Sequence, residues 1–373
     1  MRCEICTNKL ASVHQFTNSP IPNDYYVKPS IIACEQNIFY CNKCFYVKNA
    51  HQFDVEQIFN NYSYRTPQSN QDQGTVDFLK QKIRDFKIKS IIEIGGNNGV
   101  FAEKLLVQAP KILTYDIWDR VPLVSQNDRI THNDQYLSDS STSKNEIDLV
   151  IVRHAFAHNS SISSFAKNII EIINPKYLYI ECADWGQTLK NSDFSQLYTE
   201  HYYCLSSKSV SQLFKKYGFN ENERVNIPIH NGSFGIFLSK NAALKHNDDT
   251  LTEIDQEIVQ IAIETWANEC RKFWKEFIET KSFIIWGCSA KLVFTLNTLG
   301  IDFNHGLKQI VDNTAQKEGL FPPGFNVPIS NECDIINSKD FDVILIGARN
   351  FSEEISAKIN RIIPHAEIIV PPF

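Results

Sequence analysis

The chain has 373 residues, with 43 acidic against 37 basic side chains and a formal net charge of -6, so it lacks the basic footprint that nucleic acid needs. Hydrophobic residues make up 43% and aromatics 12%, enough for sizeable cores. At ~150 residues per domain the length suggests two or three domains. No run of ~18 apolar residues occurs, and Met1-Arg2-Cys3-Glu4 opens without the apolar core of a signal peptide. A soluble, cytoplasmic protein is expected, with neither membrane nor nucleic acid as a partner.

The ten cysteines need a reason other than disulfides, because the cytosol is reducing. Cys3-x-x-Cys6 and Cys41-x-x-Cys44 form two knuckles with 34 residues between them. Each knuckle puts two thiolates on one face of a tight turn, and two such turns complete a tetrahedral site for Zn2+. Four thiolates leave no open position, so the metal is expected to be structural. Cys34 is either a spare core residue or a replacement ligand. Cys182, Cys204, Cys270, Cys288 and Cys333 lie in or beside apolar stretches and read as small buried hydrophobes.

Asp54–Ser69 is polar, turn-rich and tyrosine-bearing, and reads as a connector. Val76, Leu79, Ile83 and Phe86 recur at helical spacing and predict a helix from about Gln73 to Phe86. Ile91-Ile92-Glu93-Ile94 is then an apolar strand ending beside an acid, followed by Gly95-Gly96-Asn97-Asn98-Gly99 and a helix from Val100. Backbone N–H groups at such a loop and the helix N-terminus attract anionic or polar ligands. The pattern Glu-x-Gly-x-x-x-Gly resembles the first loop of class I S-adenosylmethionine (SAM) methyltransferases, although a glycine turn after a strand is also often only a turn.

Lys111–Tyr115 reads as the second strand, ending in Asp116, 17 residues after Gly99. An acid at that place hydrogen-bonds a ribose diol in α/β cofactor domains; alone it would be a cap. Ile147–Arg153 is a buried strand opening into His154-Ala-Phe-Ala-His158-Asn159, at the end where a substrate is met. His154 equally suits a cap of the helix predicted over Ser160–Ile173. Tyr177–Glu181 is a further strand, and Val225–Ile229 and Gly235–Ser239 close the sheet through His230-Asn231-Gly232-Ser233. Asn241–Thr252 is a polar break. After it come a long helix (Glu253–Thr280) and a smaller Rossmann-like unit with strands at Phe283–Trp286, Gln309–Asp312 and Asp342–Ile346.

This order of parts resembles the SAM-dependent sugar-nucleotide C-methyltransferases across nearly the whole chain. The resemblance is carried by Cys3/Cys6/Cys41/Cys44, Tyr62-Ser63-Tyr64, the Glu93–Gly99 loop, Ala157-His158, Tyr198-Thr199-Glu200-His201 and His230–Ser233. Gly287-x-x-Ala290-Lys291, Val311-Asp312-Asn313 with Lys317, Gly319, Pro323 and Gly324, and Asn350-Phe351-x-Glu353-Glu354 complete it. It implies an α/β fold with an N-terminal zinc-binding domain (1–70), a central class I methyltransferase domain (71–240) and a C-terminal Rossmann-like domain (241–373). The implied cofactor is SAM, and the implied partner is a nucleotide-linked keto-deoxysugar, dTDP-linked first of all, with the protein a monomer or small homo-oligomer.

By the same resemblance His158 is the base that removes a proton beside the ketone. Tyr64, Tyr198, Glu200 and His201 surround the sugar, with Glu200 orienting His201. Glu93, Gly95, Asn97, Gly99, Asp116 and Asn133 hold the cofactor. Departures fall at Gly96 and Asn98, where relatives read Gly-Cys-Asn-Asp-Gly. Others are Arg65-Thr66-Pro67, and Phe234-Gly235 where relatives carry an arginine. They put the sugar's identity in question more than the reaction. An O- or N-methyltransferase on the same scaffold, or a zinc-stabilised binding module without catalysis, are the alternatives.

Overall fold

A computed structural model describes residues 1–59, 62, 64–67, 69–135, 137, 146–240, 254–333 and 341–373. The polar break expected at 241–252 and Ser63 of the tyrosine motif lie outside them. Three sheets form. In the first, strands β1 (Ala11–Pro20), β2 (Ala33–Cys41) and β3 (Tyr46–His51) pair antiparallel. Cys34, Gln36, Ile38 and Tyr40 are buried at alternate positions of β2, the period-2 pattern of a strand with one inward face. A short helix α1 (Val55–Phe59) follows, then α2 (Gln73–Asp85), which buries Val76, Leu79 and Ile83 as its spacing predicts.

The second sheet begins at β4 (Ser90–Ile94), and α3 (Val100–Gln108) follows the glycine loop. Next come β5 (Thr114–Trp118), β6 (Ile130–Asn133), β7 (Ile147–Arg153), helix α4 (Ile162–Asn168) and β8 (Pro175–Ala183). After α5 (Trp185–Lys190), β9 (Tyr203–Cys204) leaves this sheet and pairs with β3, so the N-terminal sheet takes its fourth strand from the middle of the chain. Helix α6 (Ser207–Lys215), β10 (Asn220–Ile227) and β11 (Ser233–Ser239) complete the seven strands. Their order is β10-β11-β8-β7-β4-β5-β6, with β11 antiparallel to both neighbours and the remaining pairs parallel.

The centre of β7 is apolar at four successive positions because it is covered on both faces: Val150 and Val152 enter one core, Leu149 and Ile151 the other. The sheet order reverses at β4, whose neighbours are β5 and β7, and ligands of open α/β sheets sit at the strand ends there. The glycine loop is at that point.

One expected strand moves. The second strand is Thr114–Trp118 and not Lys111–Tyr115. Ile112 is buried in the preceding turn and Leu113 is exposed, so their apolarity marks a plugged turn and not a strand. Asp116 therefore lies within β5, opposite Ile92 and Thr131, and the acid just past the strand is Asp119.

The third sheet follows α7 (Gln256–Thr280). It contains β12 (Phe283–Trp286), helix α8 (Ala290–Thr298), β13 (Leu307–Val311), β14 (Ile329–Ser330), β15 (Val343–Ile346), helix α9 (Ser352–Ile362) and β16 (Glu367–Ile369). All pairs are parallel, in the order β14-β13-β12-β15-β16. Among the described residues no helix is long and apolar enough to cross a membrane.

One apolar core joins the first sheet to the rest of the chain: Val13, Phe16 and Tyr40 come from its strands, Trp185 from α5, Phe194 from the segment after α5, Trp266 from α7 and Phe294 from α8. Phe294 is fully buried and meets Phe16 edge-on, ring centroids 5.7 Å apart. Phe294→Ala is expected to cost about 3–5 kcal/mol by removing a core ring. Because the core is shared, thermal unfolding followed by calorimetry should keep one transition at lower temperature. A split into two transitions, with only the C-terminal part melting early, would show that the core is not common.

Candidate active site

Gly95, Asn97 and Gly99 all adopt left-handed backbone conformations, with φ of +74°, +51° and +81°. A Cβ on Gly95 would lie 2.4 Å from Ala155 Cβ, so glycine there lets the end of β7 approach the loop. The Asn97 amide donates to Asp119 Oδ2 at 2.8 Å, and Asp119 Oδ1 accepts from Val121 N at 2.8 Å. The Asp119 amide in turn donates to the carbonyl of Asn133, at the end of β6. Gly95, Asn97, Gly99 and Asn133 are thus brought to one rim of the sheet. Asp119, which spacing alone passed over, occupies the rim position expected of Asp116. Counting from an aromatic strand end at Trp118 would have found it.

Glu93 lies beneath the loop. Its carboxylate accepts from Tyr115 Oη at 2.8 Å, and burial pushes it up to about 7 despite the nearby Arg153. Asn98 and Asn97 hold the tyrosine-bearing segment: Asn98 Nδ2 donates to Thr66 O at 3.0 Å, Thr66 N to Asn97 Oδ1 at 3.0 Å, and Asn97 Nδ2 to Tyr64 O at 3.3 Å. The two departures, Asn98 and Thr66, are therefore partners. Asn98 Oδ1 is buried without a protein partner at this loop. A loop without side-chain bulk, a helix N-terminus, an unpaired buried acceptor and a carboxylate at the rim suit a cofactor with a ribose diol and a charged amino-acid group.

At the end of β7 the chain carries a buried charge network. Arg153 lies 3.2–3.3 Å from Glu181 Oε1 and 3.6 Å above the Phe101 ring. His154 Nε2 is 2.8 Å from the same oxygen, and the Thr75 and Tyr179 hydroxyls each donate to Oε2 at 2.7 Å. Burial alone would raise Glu181, but Arg153 and these donors hold it well below the usual carboxylate range. His154 is therefore no helix cap; Ser161 caps α4, accepting from the Ser164 amide.

His158 follows through a tight turn over Phe156–His158. Its ring stacks on Phe59 (5.3 Å, 24°) and lies 5.1 Å from His201. Burial, with His201 and His154 close by, holds His158 well below the ordinary imidazole value. His201 Nδ1 is 2.8 Å from Gln196 O, which only accepts, so Nδ1 bears the proton. Nε2 is then the acceptor, and Tyr198 Oη donates to it at 2.9 Å. Glu200 does not orient His201, contrary to expectation. Its carboxylate turns to Asn23, which donates from Nδ2 at 2.8 and 2.9 Å and from its amide at 3.2 Å. Burial pushes Glu200 up to about 7. The Tyr64 ring is 6.2 Å from that of Tyr62, which edges against Phe59 at 5.1 Å.

The third sheet closes one side. Asn350 Nδ2 donates to His230 Nδ1 at 3.0 Å, and Lys291 Nζ donates to the buried Asp193 Oδ2 at 2.8 Å. The His230 ring is 4.6 Å from His154. None of Asn23, Asp193, Gln196 or Arg153 is marked by a local motif; each is found only through its contacts.

The four cysteines Cys3, Cys6, Cys41 and Cys44 present sulfurs all within 4.8 Å of one another. Cys3–Cys44 and Cys6–Cys41 are each 3.7 Å apart, far too long for disulfides. A tetrahedron with ~2.3 Å metal–sulfur bonds has an edge of ~3.8 Å, so the set fits a tetrathiolate metal. The amides of Ile5, Cys6 and Cys44 donate to the sulfurs, the pattern that supports thiolates. Cys34 is buried outside the cluster.

Two family models match the chain: a methyltransferase domain over residues 69–223 and a C-methyltransferase C-terminal domain over residues 228–372. Together the two matches span most of residues 69–372 and mark a methyltransferase domain followed by a C-methyltransferase C-terminal domain. A curated relative, C-methyltransferase NovU of Streptomyces niveus, is 22% identical over 222 residues, 56% of this chain and 52% of NovU. The chain thus spans about half the length of that relative (52%). Magnesium protoporphyrin IX methyltransferase from Synechocystis, solved with bound SAH, overlaps at a TM-score of 0.38 and 12% identity, covering 48% of this chain and 91% of its own. A putative sarcosine dimethylglycine methyltransferase from Galdieria sulphuraria overlaps at 0.36 and 12%, covering 47% and 92%. Nothing functional follows from overlaps of that extent.

The boundary between the two matched regions falls on β10, just before His230 meets Asn350. Arg153→Met should cost about 3–5 kcal/mol in urea unfolding at neutral pH, because it strands the buried Glu181 charge. A loss below ~1 kcal/mol would mean that Glu181 is uncharged in the folded protein.

Proposed function

We propose that this protein is a SAM-dependent C-methyltransferase that deprotonates the carbon next to a ketone in a nucleotide-linked deoxysugar and methylates the resulting enolate. The observation that supports it most is His158: a desolvated imidazole with no carboxylate partner among the described residues, at the end of the β7 strand beside the glycine loop. Tyr62, Tyr64, Tyr198 and His201 surround it with the aromatic faces and hydroxyls that suit a sugar ring.

A carbon beside a ketone is acidic because its carbanion delocalises onto the carbonyl oxygen. His158 accepts that proton, being neutral at working pH. Tyr64 supplies a donor for the enolate oxygen, while Tyr198, whose proton is held by His201 Nε2, lines the sugar side. Phe59 stacked on His158 excludes water from the base. When bound, SAM supplies a sulfonium methyl group, the electrophile complementary to an enolate carbon. Asp119, Asn98, Asn133 and the glycine-loop backbone hold it, and Asp116 supports the same strand from within. Glu200, raised to about 7 by burial and held by Asn23, shapes the sugar side and carries less negative charge there than an ordinary carboxylate. Zn2+ on Cys3, Cys6, Cys41 and Cys44 is structural. A dTDP-linked keto-deoxysugar is the proposed substrate, with the chain divided as 1–70, 71–240 and 241–373.

Two experiments test this. The first incubates the protein with dTDP-linked keto-deoxysugars in deuterated water. Wild type should exchange the proton next to the ketone and, with SAM, add one methyl group to that carbon. His158→Asn should lose both while still binding S-adenosylhomocysteine. Retained exchange in the variant would remove His158 as the base, and methylation of a hydroxyl without exchange would mean an O-methyltransferase. The same assay carries a pH signature: His158 acts only when unprotonated, and its pKa lies well below 6.5, so kcat/KM falls only as the pH drops below 6.5. An acid limb centred at 6.5 that persists in Glu200→Gln would contradict a desolvated base.

The second experiment measures S-adenosylhomocysteine affinity by calorimetry. Asp119→Ala should weaken it about tenfold or more, the scale of one charge-assisted hydrogen bond, with Asp116→Ala having the smaller effect. The reverse ranking would return the ribose contact to Asp116.

A further inference from the structure

Glu4 sits inside the first cysteine knuckle, between Cys3 and Cys6, and it reaches away from the sulfurs into the methyltransferase sheet's surroundings. Oε1 accepts from Lys48 Nζ of β3 at 2.7 Å and from the Tyr203 hydroxyl of β9. Oε2 accepts from Ser161 Oγ at 2.9 Å, Ser163 Oγ at 2.9 Å and the Ser163 amide at 3.1 Å. The Glu4 carbonyl accepts from Lys216 Nζ at 3.0 Å. One side chain therefore ties the knuckle to residues that lie about 160 and 200 positions away in the chain.

The tied segment begins three residues after His158. Between His158 and Ser161 the backbone has little freedom. The His158 amide donates to Ala155 O at 3.2 Å, and Asn159 Nδ2 closes the same turn on Ala155 O and Phe156 O at 3.0 and 3.2 Å. The tight turn is thus anchored at its start by β7 and at its end by Glu4. The N-terminal part also supplies Phe59, which stacks on the His158 ring. Both the ring and the chain on its far side are held by residues 1–59.

We infer that Glu4 is a positioning residue for His158: the cysteine knuckle is the platform, and Glu4 sets the register of the Ala155–Ser163 turn that aims the imidazole. The inference rests on the reading of His158 as the proton acceptor. It assigns the N-terminal cysteine unit a part in the reaction beyond keeping its own sheet folded. Displacing a catalytic group by ~1 Å costs up to ~100-fold in rate, so a tether of this kind acts on kcat.

The test uses the full-length protein and two variants, Glu4→Ala and Ser163→Ala, the second remote from the cysteines. Zinc content and S-adenosylhomocysteine affinity should match wild type in both. Amide hydrogen exchange over 155–168 should speed up in both, more in Glu4→Ala. In Glu4→Ala, solvent-deuterium exchange at the sugar carbon should fall about 10- to 100-fold with KM changed less than about twofold. Glu4→Gln, which keeps an acceptor oxygen, should recover part of the rate. The inference is overturned if Glu4→Ala keeps its rate with zinc retained. It is equally overturned if Glu4→Ala loses zinc while Ser163→Ala behaves as wild type, since Glu4 would then serve only the knuckle. Amide exchange does not depend on the identity of the base: unchanged protection in the variants counts against the tether, whereas an active His158→Asn counts against the base.

Discussion

The structure depends on one apolar core that joins the first sheet to helices of the other two units. Phe16 and Tyr40 come from strands, whereas Trp185, Phe194, Trp266 and Phe294 come from helices and a turn in distant parts of the chain. A sheet face must be buried against something, and one face of the first sheet finds its cover on these helices. The turn Phe194–Leu197, buried at all four positions, runs directly into Tyr198–His201. Packing in the shared core therefore sets the place of the polar residues that follow it. The candidate site opens along the seam between the sheets, which explains why it draws on Asn23, His158, His201 and Asn350.

Burial at that seam also sorts the ionisable groups. Glu181 meets Arg153 and three further donors and stays charged. Glu200 accepts from the neutral amide groups of Asn23, and for Glu93 burial outweighs the nearby Arg153 and the Tyr115 hydroxyl, so both rise to about 7. The histidines go the other way, because desolvation disfavours the imidazolium and they crowd one another. A low-charge pocket of neutral imidazoles and phenols suits abstraction of a carbon-bound proton better than a pocket of carboxylates would.

Much of this was readable beforehand where the signal is local. The span Ile147–Arg153 centres on the apolar run Leu149–Val152, and it is a strand over those residues. The Cys-x-x-Cys pairs do converge, and the loop from Gly95 does turn through left-handed conformations into a helix at Val100. The misreadings have equally local causes. Ile112 and Leu113 imitate a strand and predict that it ends before Asp116, whereas it runs to Trp118 and the acid just past it is Asp119. Glu200 adjoins His201 in sequence, but the two sit in a tight turn closed by the His201 amide on Tyr198 O, and the carboxylate goes to Asn23. The first fifty residues offered cysteines but no recognised sheet, since the strand that completes it, Tyr203–Cys204, is two residues long and lies far along the chain.

The sequence by itself determined the elements whose cause lies within a few residues: the thiolate knuckles, the glycine turn, the buried strands, and the histidines and tyrosines available for proton transfer. Only the tertiary structure decided which of them act on one another. It put Asp119 on the Asn97 amide, Gln196 O behind His201, Arg153 under the loop with Glu181, and Glu4 on the segment after His158. Those partners are set by how the three units close over one core, and a hydrogen bond between residues 157 positions apart leaves no periodicity or spacing in the chain from which it can be read.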